Sequence, residues 1–324
     1  MSFDLETHRD AYFAAREREL AELVDPDTGL LSERYARHVD CPLCGGRDHD
    51  ALFVKHGFTF VRCTRCRLVF SNPQVDASIV SEEYRTGGSN DLWVDVLTSP
   101  RQLDLDREKF ASILDALEPF RGDGRLLDVG CSIGLFLNLA RDRGWDGSGI
   151  EFGARARAYA QEEFGLAVAD VPIAQAGYAD RSFDAVALLS VIEHLNDPRG
   201  MLAEIRRLLR PGGALYVVTP NVDSLACRIL HQHAATFDGR NHLVYFSPAT
   251  LAEALTGAGF EPVELATRVA SLAPVREWLS YAEPYSDADL AADPAPGRIA
   301  AVLEPLLDEL QLGYKLHCLA RRVD

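Results

Sequence analysis

The sequence predicts an α/β fold: a mostly parallel sheet of seven strands covered by helices, preceded by an N-terminal helix and a small cysteine-bearing β module. Three observations carry this expectation. From residue 122 onward, short apolar runs alternate with segments of helical spacing, the pattern of strand–helix–strand crossovers. One run, Arg125-Leu126-Leu127-Asp128-Val129, breaks into a glycine-containing loop before helical spacing resumes at Leu135. Ahead of it, two C-x-x-C pairs stand eighteen residues apart.

Thr7 to Val24 has helical apolar spacing and ends in the turn Asp25-Pro26-Asp27-Thr28-Gly29. Cys41-x-x-Cys44 and Cys63-x-x-Cys66 have four-thiolate zinc spacing, and Gly45-Gly46 suits a metal-wrapping turn. The β-like runs Ala51 to Lys55, Phe58 to Arg62 and Leu68 to Ser71 complete a zinc ribbon over 41–75. Four thiolates leave no open coordination position, so such a zinc is structural. Redox pairs or disulfides are the competing readings, which a reducing compartment disfavours. Cys131, Cys227 and Cys318 are unpaired by pattern.

Asn72-Pro73 breaks the chain, Ser89 to Pro100 is ambiguous, and Gln102 to Leu117 reads as a helix leading into the first sheet strand. These divide the chain into a helical segment (1–40), the ribbon (41–75), a connector with a helix (76–121) and an α/β domain (122–324). Strands are expected near 125–130, 146–150, 166–169, 184–189, 213–219, 261–267 and 315–321. Helices are expected near 134–143, 154–164, 198–209 and 248–258. The Ala-, Pro- and acid-rich insertion 270–312 suggests two more, Val275 to Tyr281 and Gly297 to Leu310.

The loop after the first strand indicates the ligand class. Its glycines, Gly130 and Gly134, follow D-x-G-x-x-x-G, so the dinucleotide G-x-G-x-x-G rule fails, and no G-x-x-x-x-G-K-[ST] occurs. Without a phosphate cradle, a nucleoside carrying an amino-acid tail fits better than ATP or NAD. Asp128 would hold the tail, Gly130 would admit the ligand, and Glu151, ending the second strand, would accept hydrogen bonds from the ribose.

These residues, with Ser182-Phe183-Asp184-Ala185-Val186, Ile192-Glu193-His194-Leu195 and Leu209-Arg210-Pro211-Gly212-Gly213, resemble in order and spacing the motifs of class I S-adenosylmethionine-dependent methyltransferases. The resemblance covers residues 100 to 324 and implies a Rossmann-like seven-stranded sheet with an antiparallel last strand. It implies S-adenosylmethionine as cofactor, bound by Asp128, Gly130, Cys131, Gly134, Glu151, Phe152, Asp170 and Ser190. The Ile192–Leu195 segment is similar to that of quinone-biosynthesis O-methyltransferases, in which a second acid three residues before the glutamate helps bind a divalent metal; here that position is Ser190. A zinc module ahead of a methyltransferase domain also resembles sugar C-methyltransferases and related enzymes of natural-product and polysaccharide pathways.

Ligands on open α/β sheets bind beyond the carboxyl ends of the strands. His194 is therefore the expected general base, since imidazole titrates near working pH. Glu193 and Asn221 are expected acceptor contacts on the same ground, and the resemblance of His242–Pro248 to the family's segment after the fifth strand implies His242 and Tyr245 as two more. His231, His233 and Asp238 could form a second cluster with His242. Ser247 and Pro248 read as the cap and first turn of the next helix.

A net charge of −16 argues against a nucleic-acid substrate, because such binding leans on phosphate neutralisation. No apolar run approaches the ~20 residues of a membrane span, and Met1 to Asp10 does not read as a signal peptide. The expectation is thus a cytoplasmic enzyme acting on a small-molecule acceptor, with S-adenosylmethionine and one structural zinc. A hydroxyl oxygen of a natural product, sugar or quinone-like intermediate is the expected target. Sugar C-methylation, and a catalytically silent cofactor fold whose ribbon docks a partner, stand as alternatives.

Overall fold

A computed structural model describes residues 9–76, 78–79, 88–268 and 306–323. In chain order the N-terminal part comprises α1 (Arg9–Leu23), β1 (Ala36–Arg37), β2 (His49–Lys55), β3 (Phe58–Cys63), β4 (Val69–Ser71), β5 (Gln74–Val75), α2 (Ser89–Thr98) and α3 (Pro100–Leu117). The α/β part follows with β6 (Arg125–Val129), α4 (Leu135–Asp142), β7 (Asp146–Ile150), α5 (Ala154–Phe164), β8 (Val168–Ala169), β9 (Phe183–Leu189), α6 (Pro198–Leu208) and β10 (Leu209–Pro220). It ends with α7 (Leu225–Leu230), β11 (Val244–Tyr245), α8 (Pro248–Gly257), β12 (Phe260–Arg268) and β13 (Lys315–Arg322). The expected helix Val275 to Tyr281 lies outside the described residues, as does most of Gly297 to Leu310.

The main sheet has seven strands in the order β12-β13-β10-β9-β6-β7-β8. Neighbours from β10 to β8 are parallel, and β13 runs antiparallel to both β10 and β12. This is the expected sheet with its antiparallel final strand. Strand alternation explains how both faces become covered. Leu126, Ala185 and Ala187 pack with Ile113, Leu114 and Leu117 of α3 and Phe136 of α4. Their neighbours Leu127, Val186 and Leu188 point the other way, onto Leu202 and Ile205 of α6 and Leu251 and Leu255 of α8.

Helix starts follow local chemistry. Asp197 caps α6 by accepting from the Gly200 N–H, ahead of Pro198. Ser247 and Thr250 form a reciprocal capping box on α8. The ambiguous stretch after residue 88 is helical, and Val94 of α2 packs with Ile133 and Leu135, so α2 covers the loop after β6. Arg155 of α5 pairs with Asp95 of α2 at 2.5 Å.

The ribbon is not a self-contained module of residues 41–75. Its sheet has four strands in the order β11-β4-β3-β2, and β11 comes from within the catalytic range. Val244 and Tyr245 pair antiparallel with Phe70 and Val69. The two faces of this sheet have different partners. Cys41, Val61, Cys63, Leu68 and Phe70 share one apolar cluster with Leu188, Ile192, Leu243 and Phe246. Phe58, Phe60 and Val69 join Leu20 and Leu23 of α1, Phe237 and Tyr245. The N-terminal helix therefore packs on the ribbon and on the catalytic segment that enters it.

The approach is closest at Gly239. Its φ of +75° favours glycine, and a Cβ there would lie 2.4 Å from Phe58 Cβ. Gly239→Ala is expected to destabilise the fold by about 1–3 kcal/mol through overpacking. Chemical denaturation would read this, and an unchanged midpoint would show that ribbon and loop are loosely joined.

Candidate cofactor and acceptor site

The loop between β6 and α4 forms the first half of the site. Gly130 has φ +77°, and a Cβ there would come within 2.5 Å of Val191 Cγ2, so the loop lies directly against the 190–194 segment. Asp128 is buried and its Oδ1 has no hydrogen-bond partner. Burial, reinforced by the nearby Glu151 charge, pushes its carboxyl up to about 8. Glu151 accepts from the Ser132 N–H at 2.9 Å and the Gly153 N–H at 2.6 Å, which fixes its carboxylate at the end of β7. Burial outweighs these bonds and raises its pKa.

An orphaned acid, a glycine that admits close approach and an anchored second acid fit a nucleoside with a cationic amino-acid tail. Cys131 and Gly134 lie in this loop, and Gly134 precedes α4. Burial raises the Cys131 thiol, so it packs rather than ionises. Phe152 directly follows Glu151, and its carbonyl accepts from Arg157. Asp170, just after β8, forms an ion pair with Arg157 at 3.4 Å.

The second half lies beyond β9 and β10. Ser190 follows β9 with φ +57°, and the short helical turn Ile192–His194 comes next. Glu193 is buried; its Oε2 accepts from the Thr219 hydroxyl at 3.0 Å, and its Oε1 has no hydrogen-bond partner. His194 Nδ1 lies 2.8 Å from the Asn241 carbonyl, and His242 Nδ1 lies 2.9 Å from the Thr236 carbonyl. Carbonyls only accept, so each Nδ1 carries a proton. The two rings meet edge to face at 4.9 Å. Burial, with the neighbouring His242, lowers His194 to about 4 and keeps it neutral.

Two groups among the described residues bring potential metal-ligand atoms within 4.8 Å of one another: Cys41, Cys44, Cys63 and Cys66, and the trio Glu193, His194 and His242. The thiols are unoxidised, with Cys41–Cys66 and Cys44–Cys63 sulfur separations of 3.5 Å, well beyond a disulfide bond. That spacing suits the edges of a tetrahedron around one ion with Zn–S bonds of about 2.3 Å. Burial raises the Cys63 thiol, but N–H bonds from Cys66 and Arg65 overcome this and lower it.

The structure sorts the expected acceptor residues. His194, Glu193 and His242 come together. Asn221 is buried with its amide donating to the Gln311 and Gly313 carbonyls, so it ties β10 to the start of β13. The Tyr245 ring packs against Phe60 and Phe237, and its hydroxyl donates to the His242 carbonyl and accepts from the Gly239 N–H. Both side chains are spent inside the fold, so positions predicted as acceptor contacts serve as supports. His231 and His233 are exposed and stand apart from the trio. Asp238 does not join His231 and His233 in a cluster; it accepts from three successive N–H groups, Arg240 to His242, and pairs with Arg16 of α1.

A family model described as a methyltransferase domain matches residues 101–265, half of the chain. The chain belongs to the class I S-adenosylmethionine-dependent methyltransferase family. It is 35% identical over 133 residues to a ubiquinone biosynthesis O-methyltransferase of Cereibacter sphaeroides, covering 38% of this chain and 53% of that protein. It is 33% identical over 103 residues to the same-named protein of Pseudomonas aeruginosa, covering 30% and 44%. The chain thus spans about half the length of the curated relatives it matches. A methyltransferase structure from Archaeoglobus fulgidus is similar at a TM-score of 0.48 and 18% identity, covering 76% of this chain and all of that one.

Sequence reasoning missed Lys315, Thr219 as a partner of Glu193, and the Arg16–Asp238 pair. Lys315 carried one signal: it is among only three lysines in a chain of 33 Lys and Arg. The other two contacts join segments too distant in sequence to be paired by inspection.

The buried Asp128 gives a pH prediction. A carboxyl with an unfolded pKa near 3.9 and a folded one of about 8 stabilises the fold fully below about pH 4. That contribution is lost as pH rises toward 8. Melting of the cofactor-free protein across this window should fall more steeply for wild type than for Asp128→Asn. Equal slopes would show that Asp128 ionises normally.

Proposed function

We propose that this methyltransferase-family protein transfers a methyl group from S-adenosylmethionine to a hydroxyl oxygen of a small molecule. The observation that carries the reading is the convergence of Glu193, His194 and His242 beside the Gly130 loop. When bound, S-adenosylmethionine supplies an electrophilic methyl group, so the protein must align the acceptor, exclude water and take a proton. Asp128, Gly130, Cys131, Gly134, Glu151, Phe152 and Asp170 form the proposed cofactor side; Ser190, expected there, instead meets Lys315 and is assigned to the acceptor side.

On the acceptor side, His194 Nε2 takes the hydroxyl proton. Its tautomer is fixed by the Asn241 carbonyl, and its lowered pKa keeps it unprotonated at neutral pH. The Glu193 carboxylate offsets the imidazolium charge formed in that step. The His242 ring, edge to face with His194, orients the acceptor. Partial similarity to ubiquinone biosynthesis O-methyltransferases supports oxygen as the target atom.

We further propose one structural zinc on Cys41, Cys44, Cys63 and Cys66, and a division into helical segment, ribbon, connector and catalytic domain. The unoxidised thiols also support a cytoplasmic location. No helix among the described residues is long and apolar enough to cross a membrane.

His194→Ala should lower kcat by about 10²-fold or more, the usual contribution of general-base catalysis, while calorimetry shows unchanged S-adenosylmethionine affinity. A loss within about tenfold would retire His194 as the base. Metal analysis should return about one zinc per chain, lost in Cys63→Ser together with thermal stability. Zinc-free, fully folded protein would overturn the ribbon assignment.

A further inference from the structure

Lys315 opens β13 directly beside the acceptor edge. Its register partners are Pro220 at the end of β10 and Arg268 at the end of β12. Its ammonium has one described hydrogen bond, to Ser190 Oγ at 3.4 Å, which is long for a charged donor. The chain's other two lysines are better served: Lys55 donates to the Ala234 carbonyl at 3.0 Å and Lys109 to Asp106 at 2.5 Å. Glu193 attracts Lys315, yet its Oε1 stays without a hydrogen-bond partner, so the two groups do not close on each other. A half-buried ammonium with one long contact is under-satisfied, because removing charge from water requires strong replacement bonds.

We propose that Lys315 Nζ and Ser190 Oγ form an anion-binding subsite for the methyl acceptor, which therefore carries a carboxylate or phosphate group near its reacting hydroxyl. This rests on the reading of the β9–β10 edge as the acceptor side. An anionic oxygen at Nζ would supply the missing charge-assisted bond, and the Ser190 hydroxyl would donate a second one. The carboxylate of the cofactor could offer the same chemistry. Sheet order favours the acceptor: β13 lies three strands from β6, whose loop holds the cofactor side, which is about 14 Å at normal strand spacing. The subsite also gives the half-buried lysine a reason to face a negatively charged neighbour without pairing with it. Glu193 stands with His194 at the hydroxyl end of the acceptor while Lys315 holds the anionic end.

Full-length protein saturated with S-adenosylhomocysteine would be titrated with benzoate, phenyl phosphate and uncharged benzamide, followed by ligand-observed NMR. At least one of the two anions should bind more tightly than benzamide and lose at least tenfold in affinity in Lys315→Met. Lys315→Arg should retain most of it, and Ser190→Ala should lose a few-fold. S-adenosylhomocysteine affinity should stay within about twofold in Lys315→Met and Lys315→Arg, which also reports that both variants are folded. Anion binding that is absent, or equal in wild type and Lys315→Met, would overturn the proposal. A tenfold loss of S-adenosylhomocysteine affinity in Lys315→Met but not in Lys315→Arg would assign the lysine to the cofactor instead. Failure of His194→Ala to slow turnover would sink the hydroxyl-transfer reading while leaving these binding results intact.

Discussion

The arrangement of this protein depends on one short ladder, the antiparallel pairing of Val244 and Tyr245 with Phe70 and Val69. A two-residue strand has little stability alone. It persists because both faces of the sheet it joins are buried, one against the main α/β core and the other beneath α1. The consequence reaches the chemistry, since His242 lies two residues before the ladder and Ser247 two residues after it. His242 and the cap of α8 are therefore both located by the ribbon.

Electrostatics reinforces that placement. Asp238 gathers the N–H groups of Arg240, Asn241 and His242, and Arg16 from α1 balances its charge. With Arg16 and His242 opposing the cost of burial, the carboxyl is held down at about 2 and stays ionised. Glu19 adds a second tie, accepting from Arg240 at 2.7 Å and from the Ser89 hydroxyl at 2.6 Å. The N-terminal helix thus links the 238–242 loop to α2, which covers the loop after β6. Breaking a buried pair leaves an uncompensated charge, so these ties hold both halves of the site in register.

Within the site, charges are kept apart in function. Asp128 and Glu151 create an acidic, desolvated end suited to a cationic cofactor. Glu193, the neutral His194, His242 and Lys315 make up a mixed end, on which the proposed proton removal and anion recognition rest. The Gly130–Val191 contact sets the two ends against each other.

Much of this was legible in the sequence because it is local. The short apolar runs at 125–130 and 184–189, the acid ending β7, the C-x-x-C spacing and the Ser247-Pro248 cap each depend on residues a few positions apart. They determined the strand-and-helix order, the cofactor loop and the thiol cluster. Side-chain direction was decided only by tertiary structure. Asn221 and Tyr245 are polar residues at the right end of the sheet, yet distant carbonyls and ribbon aromatics claim them. His242 joined His194 instead of His231 because a ladder to residues 69–70 fixed the loop that carries it. Lys315 entered the site through a register set by the antiparallel β13. Contacts across long sequence separations depend on which surfaces are buried together, and that is a property of the packed chain rather than of any segment of it.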